Sequence, residues 1–372
     1  MLTIEVVNTR AQLRQYIHLP ENLPAVRANW IPPIYLDEWN FHNPKTNSAL
    51  SYSETIRMLA FNNGKPVGRV MGIINKKYNG KYDLRNASFF NLDCIDDQSV
   101  AHSLLQRIER WAKEKGMNKI IGPYGFSDKD PQGLQVEGFE HLPVIATPVN
   151  PAYLQSLVEA EGYQKEIDCV SYQYSVPGEV PSLYHKVFER ICRNKNIRLL
   201  EFKKKSQLKP HIMPVLRLVN ETYSHLFGFV TMTETEMKNL ASQYLFVLDP
   251  EFVKVIQNEK GETIAFGVGL PDISPGIQKA KGRLFPFGFI HIMRAMKSAT
   301  QLNLMLGAVK PSTRNLGLNA LLATSMISTA IRRGIKKMDS HLILENNQQM
   351  RKEFERVGAT LYKRYRVYQK VL

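Results

Sequence analysis

G-A-V-K-P-S-T-R-N-L-G, residues 307–317, is the stretch on which the reading of this chain turns. The apolar run 302–309 reads as a strand, and Pro311, Ser312 and Thr313 make a short loop. Leu318, Leu321, Leu322, Met326 and Ala330 then recur at helical spacing. Arg314 and Gly317 stand at the turn between the two. A strand-to-helix turn of this kind presents a row of backbone N–H groups and the positive end of a helix to an anion. Glycine at 317 lets the main chain approach such an anion closely. The amides of Asn315, Leu316, Gly317, Leu318 and Asn319 supply donors, and Arg314 adds a positive charge.

Outward from this turn, Gly334 closes the helix and residues 338–344 follow as a strand. A second pattern, N-x-x-M-x-x-x-F-x-x-x-G, runs from Asn347 to Gly358. The rest of the chain has a two-part grammar. In the first half, runs 56–61 and 67–75 flank the hairpin signal Asn62-Asn63-Gly64-Lys65. A strand at 88–92 precedes a helix whose Val100, Leu104, Ile108, Trp111 and Ala112 share one face. In the second half, runs 252–257 and 263–269 flank Glu259-Lys260-Gly261-Glu262, and the strand 302–309 and its helix follow. The Pro- and Trp-containing stretch 29–47 reads as an irregular surface excursion. S-V-P-G-E-V-P, residues 175–181, is the linker signal, giving units of 1–178 and 179–372.

With 372 residues, two domains are expected; 44% hydrophobic and 22% charged residues describe an ordinary globular chain. The net charge is +15, and residues 281–372 hold 17 Lys plus Arg against 4 Asp plus Glu. That field suits an anionic partner: a phosphorylated cofactor, a nucleic acid or a lipid headgroup. The opening residues lack a secretory pattern, and no apolar stretch reaches the ~20 residues of a membrane span, so a cytoplasmic protein is expected. Cys94, Cys169 and Cys192 are scattered, without metal or disulfide spacing, and no metal is expected.

Together, the two patterns resemble the cofactor-binding half of the GNAT superfamily of acyl-CoA-dependent N-acyltransferases. Arg314, Gly317 and Asn319 match R/Q-x-x-G-x-G/A, with Asn in place of the small third residue. Asn347, Met350, Phe354, Gly358 and Ala359 match N-x-x-A-x-x-x-Y-x-x-x-G-F. The resemblance implies an α/β (α+β) protein of two tandem GNAT-like domains, each a mixed, mostly antiparallel sheet flanked by helices. It implies acetyl-CoA or a longer acyl-CoA bound at Ala308, Val309, residues 314–319 and Asn347, and an amine acceptor. Strands 302–309 and 338–344 are then expected to splay apart, leaving backbone groups near Ala308 and Val309 for the pantetheine arm and the thioester carbonyl.

Position 354 is where many family members carry a proton-donating Tyr, and Phe has no proton to give. Tyr362, Tyr365 and Tyr368 are the substitutes within the second half, Tyr365 being the candidate acid. Glu345, at the end of its strand, is the candidate base, and His341 and Asp339 share a strand face by alternation. In the first half Asp93, Asp96 and Asp97 stand where a diphosphate would need donors, with Asp97 or Ser99 as helix cap. That half therefore reads as a relative that has lost its cofactor, and its loop 122–143 could line an acceptor cleft. The aromatic segment 281–297, basic at both ends, reads either as core packing or as a peripheral lipid contact. Alternative readings are a non-catalytic GNAT-fold binding protein and an aminoacyl-tRNA-dependent peptidyl transferase-like enzyme. Oligomeric state is not encoded in these patterns.

Overall fold

The computed structural model describes residues 1–23, 29–180 and 196–372. Cys192 and Pro181, the last residue of the linker signal, lie outside the described residues. The strands are β1 (Leu2–Val6), β2 (Ser53–Asn62), β3 (Lys65–Asn75), β4 (Asn86–Cys94), β5 (Lys119–Gly122), β6 (Leu134–Glu137) and β7 (Gln164–Ser175). They continue as β8 (Ile197–Glu201), β9 (Val253–Asn258), β10 (Thr263–Pro271), β11 (Gln301–Val309), β12 (Lys337–Asp339), β13 (Ile343–Leu344) and β14 (Thr360–Val371). The first-half helices are α1 (Arg10–Asn22), α2 (Tyr35–Phe41), α3 (Lys76–Tyr82), α4 (Gln98–Glu114) and α5 (Tyr153–Ala160). Those of the second half are α6 (Lys205–Tyr223), α7 (Glu234–Tyr244), α8 (Ser274–Lys279), α9 (Gly288–Lys297), α10 (Leu318–Arg332) and α11 (Gln348–Arg356).

All strands join one mixed sheet, ordered β1-β2-β3-β4-β5-β14-β7-β12-β11-β10-β9-β8, with β6 on β14 and β13 on β7. Pairing is antiparallel except for β4 with β5 and β11 with β12. Those two parallel steps are related by the repeat, each joining the strand before a long helix to the strand after it. The halves exchange their last strands. β14 comes from the second half yet pairs β5 of the first, while β7 comes from the first half and pairs β12 and β13 of the second. β7 and β14 then pair with each other along their length, from Thr360 opposite Gln173 to Gln369 opposite Gln164. Asp168, 1% exposed on β7, holds Arg364 and Arg366 of β14 at 3.2 and 2.9 Å. A buried carboxylate held by two guanidinium groups ties the strands at the centre of the molecule.

Local chemistry explains the elements. Asn63 and Gly64 take left-handed φ of 49° and 77°, the geometry of a tight two-residue hairpin, and β2 and β3 pair across it. The apolar face of α4 (Val100, Leu104, Ile108) packs on Val70 and Phe89. In the second half Met326, Ile327 and Ala330 of α10 pack on Leu302 and Met338, while Leu216 and Val219 of α6 cover Val255 and Phe266.

Two expectations need correction. Residues 29–47 are not simply irregular: they contain α2, whose Tyr35 is buried against the first half. The expected strand 338–344 is broken into β12 and β13. Asp339 accepts the His341 amide at 2.6 Å, and His341 turns the chain at a left-handed φ of 57°.

Candidate active site

The break between β12 and β13 opens the site. β11 pairs β10 from Leu302 to Val309, but it pairs β12 only through Gln301, Leu302 and Asn303. Beyond Asn303 the chain after β12 turns away to join β7, so the β11 edge from 304 to 309 faces a cleft. Backbone polar groups alternate sides along a strand. Those of Gly307 point into the cleft, where its amide donates to Tyr223 Oη at 3.3 Å and its carbonyl accepts from it at 2.9 Å. By the same alternation the Val309 amide faces the cleft and that of Ala308 faces β10. Of the two residues expected to leave backbone groups free, Val309 thus presents them to the cleft and Ala308 does not, while Gly307 does.

After Val309, the Lys310 amide closes onto Ile264 at 2.8 Å, and Pro311–Leu316 coil into a tight 3-10 turn. Gly317 follows at φ 77°, ψ 18°, a left-handed conformation that disfavours a side chain. It is the N-cap of α10, and no side chain caps the helix there. Leu318 is fully buried with Val309, Leu321 and Ile264, which fixes the direction in which the helix leaves the strand. Arg314, Asn315, Leu316 and Asn319 are exposed around the turn, and although the Ala320 amide closes onto the Gly317 carbonyl at 3.0 Å, no side chain among the described residues takes the amides of Leu318 and Asn319.

The equivalent turn of the first half is closed. The Asp97 carboxylate accepts the Ser99 amide at 2.8 Å and caps α4, and hydrogen bonds from Ser99 hold its carboxyl below the usual range. Asp93 is bound to the buried Arg69 at 2.8 Å. One helix start is thus neutralised by its own acid and the other is not.

A cavity of about 670 Å³ adjoins the open turn. Arg314 and Asn319 stand at one part of its wall, Gly307 and Tyr223 at another, and Asn347 and Phe354 at a third. The first half contributes Asp128, Lys129, Asp130 and Gln132, from the loop that precedes β6; the segment 122–143, expected as one long loop, is interrupted by that strand. Burial pushes the Asp130 carboxyl up to about 6, against the amides of Ser127 and Phe126 that hydrogen-bond it. Burial also raises Asp128, opposed by Lys129 at 3.0 Å. Tyr223 is pushed up to about 12 by burial, with the nearby Asp128 charge contributing, so its hydroxyl keeps its proton at neutral pH. Carboxyls and a protonated phenol around one cavity form a set able to accept and donate protons.

The two residues expected to do proton chemistry stand elsewhere. Glu345 accepts Lys165 Nζ at 2.7 Å and the Asp168 amide at 3.0 Å, and it does not line the cavity. Tyr365 is fully buried at mid-β14, opposite Cys169, and does not line it either. Tyr362 donates to Asp339, and Tyr368 donates to Glu159 at 2.9 Å. His341 lies beyond the end of β12, so it does not share a strand face with Asp339; its ring meets the Ile145 carbonyl at 3.1 Å. Asn347 lines the cavity while its side chain caps α11 through the Met350 amide at 3.2 Å. Phe354 stacks on Tyr172, ring centres 5.9 Å apart. Sequence reasoning missed Tyr223 and the Asp128–Asp130 pair. The long loop 122–143 was the one available signal for the latter.

No family model matches the chain. A protein named bacterial ceramide synthase from Caulobacter vibrioides is 28% identical, covering 100% of this chain and 98% of its own length. A protein named YghO from Escherichia coli is also 28% identical, covering 96% of this chain and 92% of its own length. Among solved structures, a tandem GNAT protein from the clavulanic acid biosynthesis pathway superposes with a TM-score of 0.55 at 11% identity, over 100% of this chain and 98% of that one. A GCN5-related N-acetyltransferase from Sphaerobacter thermophilus gives 0.51 at 11% identity, over 100% and 95%. With the repeated parallel steps, the exchanged last strands and these superpositions, the chain has a tandem GNAT-like fold.

Proposed function

We propose that the chain is an acyl-CoA-dependent N-acyltransferase, with acyl-CoA held by the unit 179–372 and the unit 1–178 serving as a wall of the acceptor side. One observation carries the reading: α10 starts on an uncapped Gly317 beside the open edge of β11, whereas its counterpart α4 is sealed by Asp97. The diphosphate would take the amides of residues 315–319 with Arg314 beside it, and Asn347 would meet the pantetheine arm. The main-chain amide of Val309 would be the donor for the thioester carbonyl as negative charge builds on its oxygen, the Gly307 amide being engaged by Tyr223.

The reaction forms a C–N bond and breaks the C–S bond. The amine lone pair attacks the thioester carbon, the thiolate leaves, and the amine gives up a proton. Asp128 is our candidate for taking that proton, and Tyr223 supplies the hydroxyl that Phe354 lacks. The acceptor we favour is an amphipathic amine. Most of the cavity's other lining is apolar, including Val215, Leu216, Val219 and Met326, and it suits an acyl chain longer than acetyl. The Caulobacter relative's name also points to N-acylation of a long-chain amino alcohol.

The test is thiol release from palmitoyl-CoA and from acetyl-CoA, with sphinganine or a soluble polyamine as acceptor, and mass spectrometry of the amide. Turnover with palmitoyl-CoA and sphinganine is expected to lead. A second reading, a non-catalytic GNAT-fold binder, is favoured by Phe354. Intact coenzyme A binding without thiol release for any pair would decide for it.

A further inference from the structure

Between α8 and α9 the chain makes a knuckle whose aromatic side chains point outward. Phe285, Phe287 and Phe289 are 75%, 70% and 47% exposed, within five residues of each other. Isolated exposed apolar residues are ordinary, but three large aromatic rings on one turn form a patch that water disfavours. The charge around them has one sign. Residues 274–299 contain Lys279, Lys281, Arg283, Arg294 and Lys297 and no Asp or Glu. Arg283 is engaged by Glu21 at 3.1 Å, whereas Lys279, Lys281, Arg294 and Lys297 are exposed and form no ion pair among the described residues.

The knuckle stands beside the mouth of a second cavity, of about 920 Å³. Its Gly282 carbonyl accepts the Tyr35 amide at 3.0 Å, which sets the knuckle against the start of α2. The next residue, Leu36, is 49% exposed, and so is Phe246 at 46%; both line this cavity, as does Leu284 of the knuckle. The cavity runs inward to Lys129, Asp130, Met232 and Leu240, which also line the 670 Å³ cavity at the open turn. The apolar mouth and the proposed reaction centre therefore border a common set of residues.

We infer that the Phe285–Phe287–Phe289 knuckle seats on an anionic bilayer and that the larger cavity receives a lipid chain from it. Aromatic rings enter the headgroup–acyl boundary while Lys279, Lys281, Arg294 and Lys297 sit over anionic headgroups, the arrangement by which a protein lies on a membrane without crossing it. None of the helices among the described residues is long and apolar enough to cross one. Only the direction of delivery rests on the acyltransferase reading; the docking itself does not.

The experiment is co-sedimentation of the full chain, without substrates, with vesicles of phosphatidylcholine alone or containing phosphatidylglycerol. Binding is expected to the anionic vesicles and to fall with added salt. Each Gln replacing Lys279, Lys281, Arg294 or Lys297 is expected to weaken binding about five-fold. Combined Phe285→Ser, Phe287→Ser and Phe289→Ser is expected to abolish it while leaving the melting temperature unchanged, since these rings contribute little to the core. Failure to sediment with anionic vesicles, or wild-type binding by the triple variant, overturns the inference. So does light scattering showing a dimer that the triple variant dissolves, because the knuckle then joins two copies. Turnover of a soluble acyl-CoA and amine pair is scored separately, so loss of vesicle binding and loss of the acyltransferase reading remain distinguishable.

Discussion

Gly317→Glu asks whether the helix start of the second half binds a diphosphate. The wild-type residue sits at φ 77°. Any side chain there costs roughly 1–2 kcal/mol in a left-handed conformation. A carboxylate at a helix N-terminus returns roughly 0.3–1 kcal/mol, so the variant should fold with a loss of about 1 kcal/mol. Its effect on the ligand is larger. A unit charge about 4 Å from another is worth about 4 kcal/mol at the dielectric of a protein surface. Gly317 is half-buried, and screening leaves about half of that, a thirty-fold rise in Kd. Gly317→Ala carries the same backbone strain without the charge and is the proper reference. Calorimetric titration with coenzyme A should separate the two variants by about thirty-fold, while pantetheine, which lacks the diphosphate, binds both alike. Equal affinities of the Glu and Ala variants for coenzyme A would refute the argument. A parallel loss of pantetheine binding would show damage to the cleft instead.

Tyr223→Phe removes the hydroxyl that bridges the Gly307 amide and carbonyl, and should cost about 1 kcal/mol in stability and roughly a hundred-fold in kcat; Glu345→Gln, outside the cavity, should leave kcat within about two-fold, and steady-state rates of both decide between them. Asp130→Asn tests the buried carboxyl through pH. The native carboxyl is pushed up to about 6, above its unfolded value, so it costs no stability below about pH 4 and an increasing amount as pH rises through 6. The Asn variant should therefore melt higher than wild type at pH 8, by on the order of 2–3 kcal/mol, and the difference should vanish near pH 4; a pH-independent offset in scanning calorimetry rejects the assignment.

What the sequence made legible was local. The Asn63-Gly64 hairpin, the apolar stripe of α10 and the Gly317 turn each depend on residues within one or two turns of chain, and each is present. What it concealed depends on partners far away. The K-R-Y-R-V-Y run states that β14 is a strand, but nothing in it says that the neighbour is β5 of the other half. The break at His341 comes from the Asp339 carboxylate turning back on the main chain, a competition that a continuous apolar run does not reveal. Tyr223 is the last residue of α6 and reads as one more aromatic on a buried face; only the folded chain brings its hydroxyl to Gly307. Glu345 stands outside the cavity for the converse reason. Its position near the strand end was foreseen, but its ion pair with Lys165, 180 residues away in sequence, was not.

The strand exchange bears on why a chain would keep a half whose own strand-to-helix turn is closed by Asp97. β7 supplies the antiparallel partner of β12 and β13, the strand pair whose separation opens the cleft. Without it, the buried Met338 and Ile343 would lose the strand they pack beside, and β14 would lose its longest pairing. The segment between β5 and β6 adds Asp128 and Asp130 to a cavity to which the second half contributes His211, His341 and Glu353. Its buried backbone also ties across the interface, with the Asp128 amide on the Gly228 carbonyl at 3.3 Å and Lys129 Nζ on the Val230 carbonyl at 2.9 Å. A lobe that bound an anion of its own would need an open α4 terminus. A lobe that only has to brace β7 and deliver that loop is better served by a rigid one, and the Asp97 cap, worth about 1 kcal/mol, supplies that rigidity. The Asp97 cap that closes the N-terminus of α4 to an external anion thus also fixes the half that carries β7 and that loop.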